Sequence, residues 1–412
     1  MSRDLHLLTF TSLYPSTARP RHGIFVESRL QGLLRRGGLR AHVIAPVPWF
    51  PLSGSRWGEY GRIARTPHRE VRNGIEVRYP RYPSLPYVGF STKPDLMARA
   101  GLRAVESLLR EGQVIDLVDA QYLYPDGVAA AEVARKIGKP FLLSALGTDV
   151  NVIAQMPGPM GRIRKAIEAS SGVITVSAAL KASLVNLGIS AERVTVLRNG
   201  VDPTLFYPED RVTARKELGL PDSEARIVVS VGNLVPEKRP QLALEAVIGI
   251  EGLNIVFVGR GPERARLERT ARDRMIRNRV WFFDEMPQVR LRLVYSAANA
   301  LVLASEREGW PNVLLEAAAC GTPVVAFPVG GIPEMLGDLE LGVMVRGAHD
   351  AVALSDAIRG LLVAPPSRHA VRAAAGRFAW EPVLEEQLAL YRRAAQLDDQ
   401  VSVKPDFERA RA

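Results

Sequence analysis

Glu308 and Glu316 bracket the stretch Glu308-Gly309-Trp310-Pro311-Asn312-Val313-Leu314-Leu315-Glu316. Its residue types fit an anion such as a diphosphate. Asn312 is placed to cap a helix, which would aim the amides of Val313 and Leu314 at an anion. Glu316, one turn in, can accept hydrogen bonds from sugar hydroxyls, and Glu308 sits before the glycine in the loop facing the cleft. A capped helix with two surface glutamates explains each residue singly but poorly explains all of them together.

Four glycine turns have related chemistry. Gly232-Asn233-Leu234-Val235-Pro236-Glu237-Lys238-Arg239 follows an apolar run, the position at which doubly wound folds bind ligands, and Lys238 and Arg239 offer cations to a phosphate oxyanion. Val258-Gly259-Arg260-Gly261-Pro262-Glu263 and Val329-Gly330-Gly331-Ile332-Pro333-Glu334 repeat the pattern. Near the start, Gly23 stands where a strand hands over to a helix, and a glycine there lets backbone N–H groups approach a phosphate. Each turn alone also reads as an ordinary solvated loop or helix start; two on adjacent strands reinforce each other. None is G-x-G-x-x-G, so the dinucleotide fingerprint is absent. His6, His22, His42, His68, His349 and His369 form no ligand spacing, and no Asp-x-Asp is present to bridge a diphosphate through a divalent ion. No metal is therefore expected. Neither a G-x-S-x-G nor a Cys/His nucleophile arrangement occurs, and the single Cys320 suits a reducing compartment.

The elements that must position these residues alternate along the whole chain. Apolar runs read as strands at 5–10, 42–45, 75–79, 114–118, 141–144, 173–176 and 194–197, with helical spacing over 24–36, 93–110, 127–137 and 178–187. The pattern restarts with strands at 227–231, 255–258, 280–283, 300–303, 324–327 and 343–345. The helices between them read as 239–247, 263–275, 289–296 and 313–319. Runs apolar on both faces and separated by helices argue for parallel strands in βαβ units, hence two doubly wound α/β domains in series. Asn199-Gly200-Val201-Asp202-Pro203 marks the boundary, giving a first domain over 1–200 and a second over 201–380. Glu381-Pro382 opens a last helix over 381–396, and the polar tail 397–412 is expected to be disordered.

With 412 residues, 47% hydrophobic and 24% charged, the chain has an ordinary globular composition. No apolar run approaches a membrane span, and no secretory signal is evident. The net charge of +10 is unevenly spread: residues 19–110 hold 17 basic and 6 acidic side chains, a difference of +11. Such a segment suggests an anionic partner or a solubilising surface. Residues 47–89 are rich in Pro, Gly, Arg and aromatics, and a segment that long and irregular in an α/β unit is more often functional than idle.

Together these motifs resemble those of retaining GT-B glycosyltransferases of family four. The resemblance runs from Leu5 to about Ala395 and rests on Glu308–Glu316, the Gly232…Lys238 and Gly259–Glu263 turns, Leu197-Arg198-Asn199-Gly200-Val201-Asp202, and Gly330-Gly331-Ile332-Pro333-Glu334. Gly147-Thr148-Asp149-Val150-Asn151 and Gly23-Ile24-Phe25-Val26 are similar to the exopolysaccharide, capsule and teichuronic branch. The resemblance implies two Rossmann-like domains facing a central cleft, the C-terminal helix crossing back to the first. It implies a nucleotide-sugar donor, a UDP- or GDP-sugar, bound mostly by the second domain and used without metal. Glu316 would hold the ribose, and Lys238 with the helix start at Val313 the diphosphate. Gly259, Arg260 and Gly261 would lie near the base, Gly23 would meet the phosphates from the first domain, and Glu308 would approach the transferred sugar. Glu308 and Lys238 would be the catalytic residues. The acceptor would be a glycan or a lipid-linked sugar, met by a cytoplasmic enzyme held through its basic first domain at the anionic inner face of the membrane; nucleic acid is not an expected partner. Two positions depart from the pattern: Leu146 stands where a histidine usually contacts the sugar, and Asn233 where an arginine usually shares the diphosphate. Arg239 or Arg260 is the expected replacement cation. A nucleotide-sugar epimerase of the same architecture, or a non-catalytic sugar-nucleotide or lipid-binding relative, remain the alternative readings.

Overall fold

The computed structural model describes residues 3–52, 54–84, 89–222, 224–337 and 340–397; the tail from 398 lies outside them. The chain divides into two compact units. The first comprises the chain through Val176, then Leu180–Leu197 and the chain from Glu381; the second comprises Ser177–Ala179 and Arg198–Trp380.

Among its described residues the first unit has ten strands: β1 (Leu5–Phe10), β2 (Leu39–Ile44), β3 (Val47–Trp49), β4 (Arg69–Arg72), β5 (Ile75–Arg78), β6 (Arg81–Pro83), β7 (Leu117–Gln121), β8 (Phe141–Ala145), β9 (Val173–Thr175) and β10 (Val194–Val196). Eight form a sheet in the order β10-β9-β8-β7-β1-β2-β5-β4, parallel except for the β4–β5 hairpin, and β3 pairs with β6 in a separate two-stranded sheet. Helices over Ile24–Arg36 and Lys93–Arg110 have the bounds their periodicity predicts; Gly37 and a proline at the first turn account for one stop and one start. The strand expected at 114–118 lies instead at Leu117–Gln121, because Val114 is exposed while the polar Asp119 and Gln121 are buried. Those polar groups have partners from far along the chain. Arg29 donates from Nε to Gln387 (2.5 Å) and from Nη1 to the Leu197 carbonyl (3.2 Å), and Gln387 donates to the Tyr391 hydroxyl (2.5 Å). Tyr391 also bonds Asp119, whose carboxyl burial pushes up to about 6. The last helix, Trp380–Ala394, therefore completes the first unit's polar core although it follows the second in sequence.

The second unit holds β11 (Arg226–Val231), β12 (Leu253–Val258), β13 (Val280–Phe283), β14 (Ala300–Leu303), β15 (Val324–Ala326) and β16 (Gly342–Met344), all parallel in the order β13-β12-β11-β14-β15-β16. Its strands are apolar on both faces because helices cover both. Val228, Ile255, Phe257, Val302 and Val325 pack with Leu244, Leu267, Leu354 and Ile358 of the helices, and each such buried side chain contributes about 1.5–3 kcal/mol. At the entry to this unit the Val201 amide donates to the Phe378 carbonyl (2.9 Å). No helix among the described residues is long and apolar enough to cross a membrane.

Candidate functional site

In the second sheet β11 is the central strand from which the order runs out to both sides, so the carboxyl ends of β11 and β14 flank a topological switch point, where open α/β sheets leave a crevice for ligand. The loops leaving these two strands carry the proposed chemistry. The Glu306 amide donates to the Glu237 carbonyl (2.9 Å), joining the loops through backbone. Across the junction the Lys238 ammonium donates to Glu308 Oε1 at 2.6 Å. The lysine is 38% exposed and the glutamate 8%, so a nearly buried carboxylate holds a cation with one face open to solvent.

Beyond Glu308 the loop is fixed by Trp310, whose buried indole donates to the Asn199 carbonyl (2.9 Å) and packs on Phe378. The helix Asn312–Ala319 then begins. Its cap is Pro311 rather than Asn312: a proline cannot donate there, its carbonyl accepts from Leu314 (3.0 Å), and Asn312 enters the first turn, its side-chain oxygen accepting from Asn199 (3.1 Å). Of the two amides expected to face an anion, Leu314 is thus turned to the cap, while those of Asn312 and Val313 lie in the first turn, where N–H groups have no partner within the helix. Glu316 lies one turn in, half-buried, and accepts from the Tyr295 hydroxyl at 2.7 Å. Tyr295 is fully buried in the helix Gln288–Ala297. Cys320 ends the helix, buried, with its thiol pushed up to about 12, chiefly by burial and then by the charge of Glu316, which disfavours the thiolate.

The two glycine turns after β11 and β12 extend the sheet past its strands. The Gly232 amide donates to Val258 (3.0 Å), Leu234 to Arg260 (2.8 Å) and Glu263 to Leu234 (3.0 Å). Gly259 runs at φ 144°, and a Cβ there would stand 2.0 Å from the Gly232 carbonyl oxygen, so only glycine allows the approach. Asn233 is exposed beside this ladder. The expected replacement cations are engaged elsewhere. Arg239 donates to the His349 carbonyl and lies over the Phe327 ring, and Arg260 pairs with Asp284 at 2.9 Å. Arg239 itself runs at φ 47°. Glu334, at the Gly330-Gly331 turn, accepts from Arg198 (2.6 Å) and from the amides of Ala178 and Ala179 (3.0 Å each).

The first unit has its own switch point between β1 and β7. Thr11 donates from its hydroxyl to the Gln121 carbonyl (3.1 Å), and the Ser12 amide donates to buried Asp126. Burial pushes the Asp126 carboxyl up to about 6, and one of its oxygens has no hydrogen-bond partner among the described residues. Gly23 ends this loop at φ 70°, capping Ile24–Arg36, with the Leu13 carbonyl oxygen 2.2 Å from where a Cβ would be. Asp149 of the Gly-Thr-Asp run is fully buried and accepts from the amides of Leu123 (2.9 Å), Gly147 (2.7 Å) and Val150 (3.1 Å), so this carboxylate shapes its own turn.

The sequence profile of the glycosyl transferases group 1 matches residues 210–378, and that of Glycosyltransferase Family 4 matches residues 28–205. A glycosyltransferase of Bacillus subtilis (strain 168) named for teichuronic acid biosynthesis is 30% identical over 390 residues, covering 93% of this chain and 92% of the relative. The chain belongs to the family-four, group 1 glycosyltransferases.

The fold of this glycosyltransferase agrees. Sucrose-phosphate synthase of Thermosynechococcus elongatus superposes with a TM-score of 0.76 at 21% identity, over 95% of this chain and 99% of that one. Anabaena HepE in complex with UDP-glucose gives 0.68 at 18% identity, over 93% and 99%. Both are similar in fold, and the GT-B architecture is theirs and this chain's alike. Three residues of the candidate site escaped sequence reasoning: Tyr295, Asn199 as a side-chain donor, and Trp310 as the loop's anchor. Only Tyr295 left a signal, a polar-tipped aromatic on an apolar helix face, which needs a buried partner.

Proposed function

We propose that this glycosyltransferase moves a sugar with retention from a nucleoside-diphosphate sugar to a glycan or lipid-linked acceptor, without a metal, in cell-surface polysaccharide synthesis. The observation that carries the reading is the Lys238–Glu308 pair at 2.6 Å, with the start of the Asn312–Ala319 helix in the same loop. In the reaction the bond between the anomeric carbon and the diphosphate oxygen breaks, a bond to the acceptor oxygen forms, and the acceptor hydroxyl's proton passes to the leaving diphosphate. Negative charge grows on the leaving diphosphate. Lys238 and the first-turn amides of Asn312 and Val313 would neutralise it, fixed dipoles and a held cation serving better than mobile water. Glu308 orients the ammonium and would lie toward the transferred sugar. Glu316, steadied by Tyr295, would accept from the ribose hydroxyls. A UDP- or GDP-sugar is the proposed donor, UDP favoured by the UDP-glucose complex of a protein with this fold. Gly23, at a helix start after β1, would meet the phosphates, and Arg260 with Gly259 and Gly261 the base. The teichuronic acid biosynthesis in the Bacillus relative's name supports a polysaccharide acceptor; the acceptor would be met at the inner face of the membrane, to which the basic first unit would attach from the cytoplasm.

A panel of nucleotide sugars screened by thermal shift, followed by transfer to lipid-diphosphate acceptors with and without EDTA, tests the reading. One donor should raise Tm and be consumed equally in both conditions. If no nucleotide sugar binds or turns over, the reading fails.

A further inference from the structure

Residues 49–65 place an unusual set of side chains on the surface of the first unit. Trp49 is 55% exposed, and Leu52, Trp57 and Tyr60 are also exposed. Phe50 lies among them, its ring 5.9 Å from that of Trp57, edge-on, and 5.3 Å from that of Tyr60. The Arg56 guanidinium sits 5.2 Å over the Trp57 ring. This stretch holds three arginines, Arg56, Arg62 and Arg65, against the single acid Glu59, which pairs with Arg62 at 3.6 Å. Arg56 and Arg65 have no carboxylate partner among the described residues.

The cluster is held from beneath. β3 is paired with β6, and Arg81 of β6 donates to the carbonyls of Ile63 (3.2 Å), Ala64 (3.4 Å) and Thr66, closing the end of the Gly58–Ala64 helix. Gly61 packs on Gly54, where a Cβ would stand 2.3 Å from the carbonyl oxygen. The exposed rings are therefore on a fixed base and are not loop side chains awaiting burial. Keeping two tryptophans, a tyrosine and a leucine together in water is unfavourable unless something covers them. Flat rings with a polar edge, flanked by arginines, match the chemistry of a bilayer's headgroup layer: the rings sit at the acyl boundary and the guanidinium groups at anionic phosphates.

We propose that Trp49, Phe50, Trp57 and Tyr60, with Arg56 and Arg65, form the element that seats the protein on an anionic lipid surface. This rests on the membrane-face reading above and narrows it from a basic first unit to one aromatic platform. Since Trp49, Trp57, Arg56 and Arg65 are exposed, replacing them leaves the core intact.

The test uses the full chain with phosphatidylglycerol vesicles and, as control, phosphatidylcholine vesicles, in co-sedimentation at low and high salt. The wild type should bind the anionic vesicles, release with salt, and show blue-shifted tryptophan emission. Trp49→Ser/Trp57→Ser and, separately, Arg56→Gln/Arg65→Gln should each weaken partitioning by about tenfold while Tm is unchanged. Variants that sediment like the wild type, or a wild type that ignores anionic vesicles, would overturn the platform. So would a second copy or a protein covering it, seen as self-association that the tryptophan variant abolishes without vesicles. The donor-induced Tm shift, read in the same samples, reports separately on the transferase reading.

Discussion

Replacing Lys238 with methionine is the most direct perturbation of the site, because it removes one charge and keeps the length of the side chain. A unit charge developing about 4 Å from an ammonium is stabilised by about 1 kcal/mol in bulk water and about 4 kcal/mol at an effective dielectric of 20. At 38% exposure Lys238 lies between these limits. The loss should be about 2–3 kcal/mol of transition-state stabilisation, roughly 30- to 160-fold in kcat/KM. A second effect follows from the 2.6 Å pair. Without the ammonium, Glu308 remains as a nearly buried carboxylate with no ion-pair partner among the described residues, and in the proposed site it would stand beside the sugar and its diphosphate. Removing one member of a fully buried pair costs about 3–5 kcal/mol, and the lysine's exposure reduces this to about 1–2 kcal/mol of stability. The same carboxylate repels the donor, so Lys238→Met should bind UDP more weakly than the double variant Lys238→Met/Glu308→Gln, by about fivefold or more. Titration calorimetry with UDP reads the coupling without depending on turnover, which Glu308→Gln is expected to reduce in its own right. Equal UDP affinity in the wild type and Lys238→Met, or no recovery in the double variant, would refute this account of the pair.

Three further outcomes are expected. Tyr295→Phe deletes the 2.7 Å bond to Glu316 and should raise the donor KM by about threefold to tenfold with kcat little changed; steady-state kinetics that move kcat instead would contradict a positioning role. Gly259→Ala brings a methyl group within 2.0 Å of the Gly232 carbonyl oxygen at a φ of 144°, and should cost about 3 kcal/mol or more in urea unfolding. Asp126 has a folded pKa raised from 3.8 to about 6, so the penalty of burying its charge, about 3 kcal/mol, is present above pH 6 and fades as pH falls toward its unfolded value. The wild type should accordingly gain stability relative to Asp126→Asn between about pH 7 and pH 5, and a stability gap independent of pH would count against that assignment.

Periodicity carried most of the architecture. Ile24–Arg36 and Lys93–Arg110 are long enough for several turns of spacing to register, and the buried strands of the second unit are continuous apolar runs, which makes type and order readable. β3, β4 and β6 were not legible, since three or four residues, including arginines and prolines, give no repeat to count. Within the site, spacing identified the glutamates and glycine turns but not the directions of side chains. Arg239 stands beside Lys238 in sequence, yet its φ of 47° turns the guanidinium to Phe327. Asn312 carries a favoured capping side chain, but the preceding proline occupies the cap and Asn199, 113 residues earlier, claims the amide oxygen. Partners brought together from remote segments, as Tyr295 and Glu316 are, leave almost no trace in a local pattern.

The last helix has a consequence for biosynthesis. Arg29 in the first helix waits for Gln387, 358 residues later, and Asp119 for Tyr391. A chain emerging from the ribosome cannot satisfy those buried groups until Gln387 and Tyr391 have been made. The second unit, contiguous apart from three residues, has all its strands by Met344 and can close first. Although it leads in sequence, the first unit therefore matures last. A stop codon between Trp380 and Gln387 would spare the second unit and leave the first unfinished and prone to proteolysis.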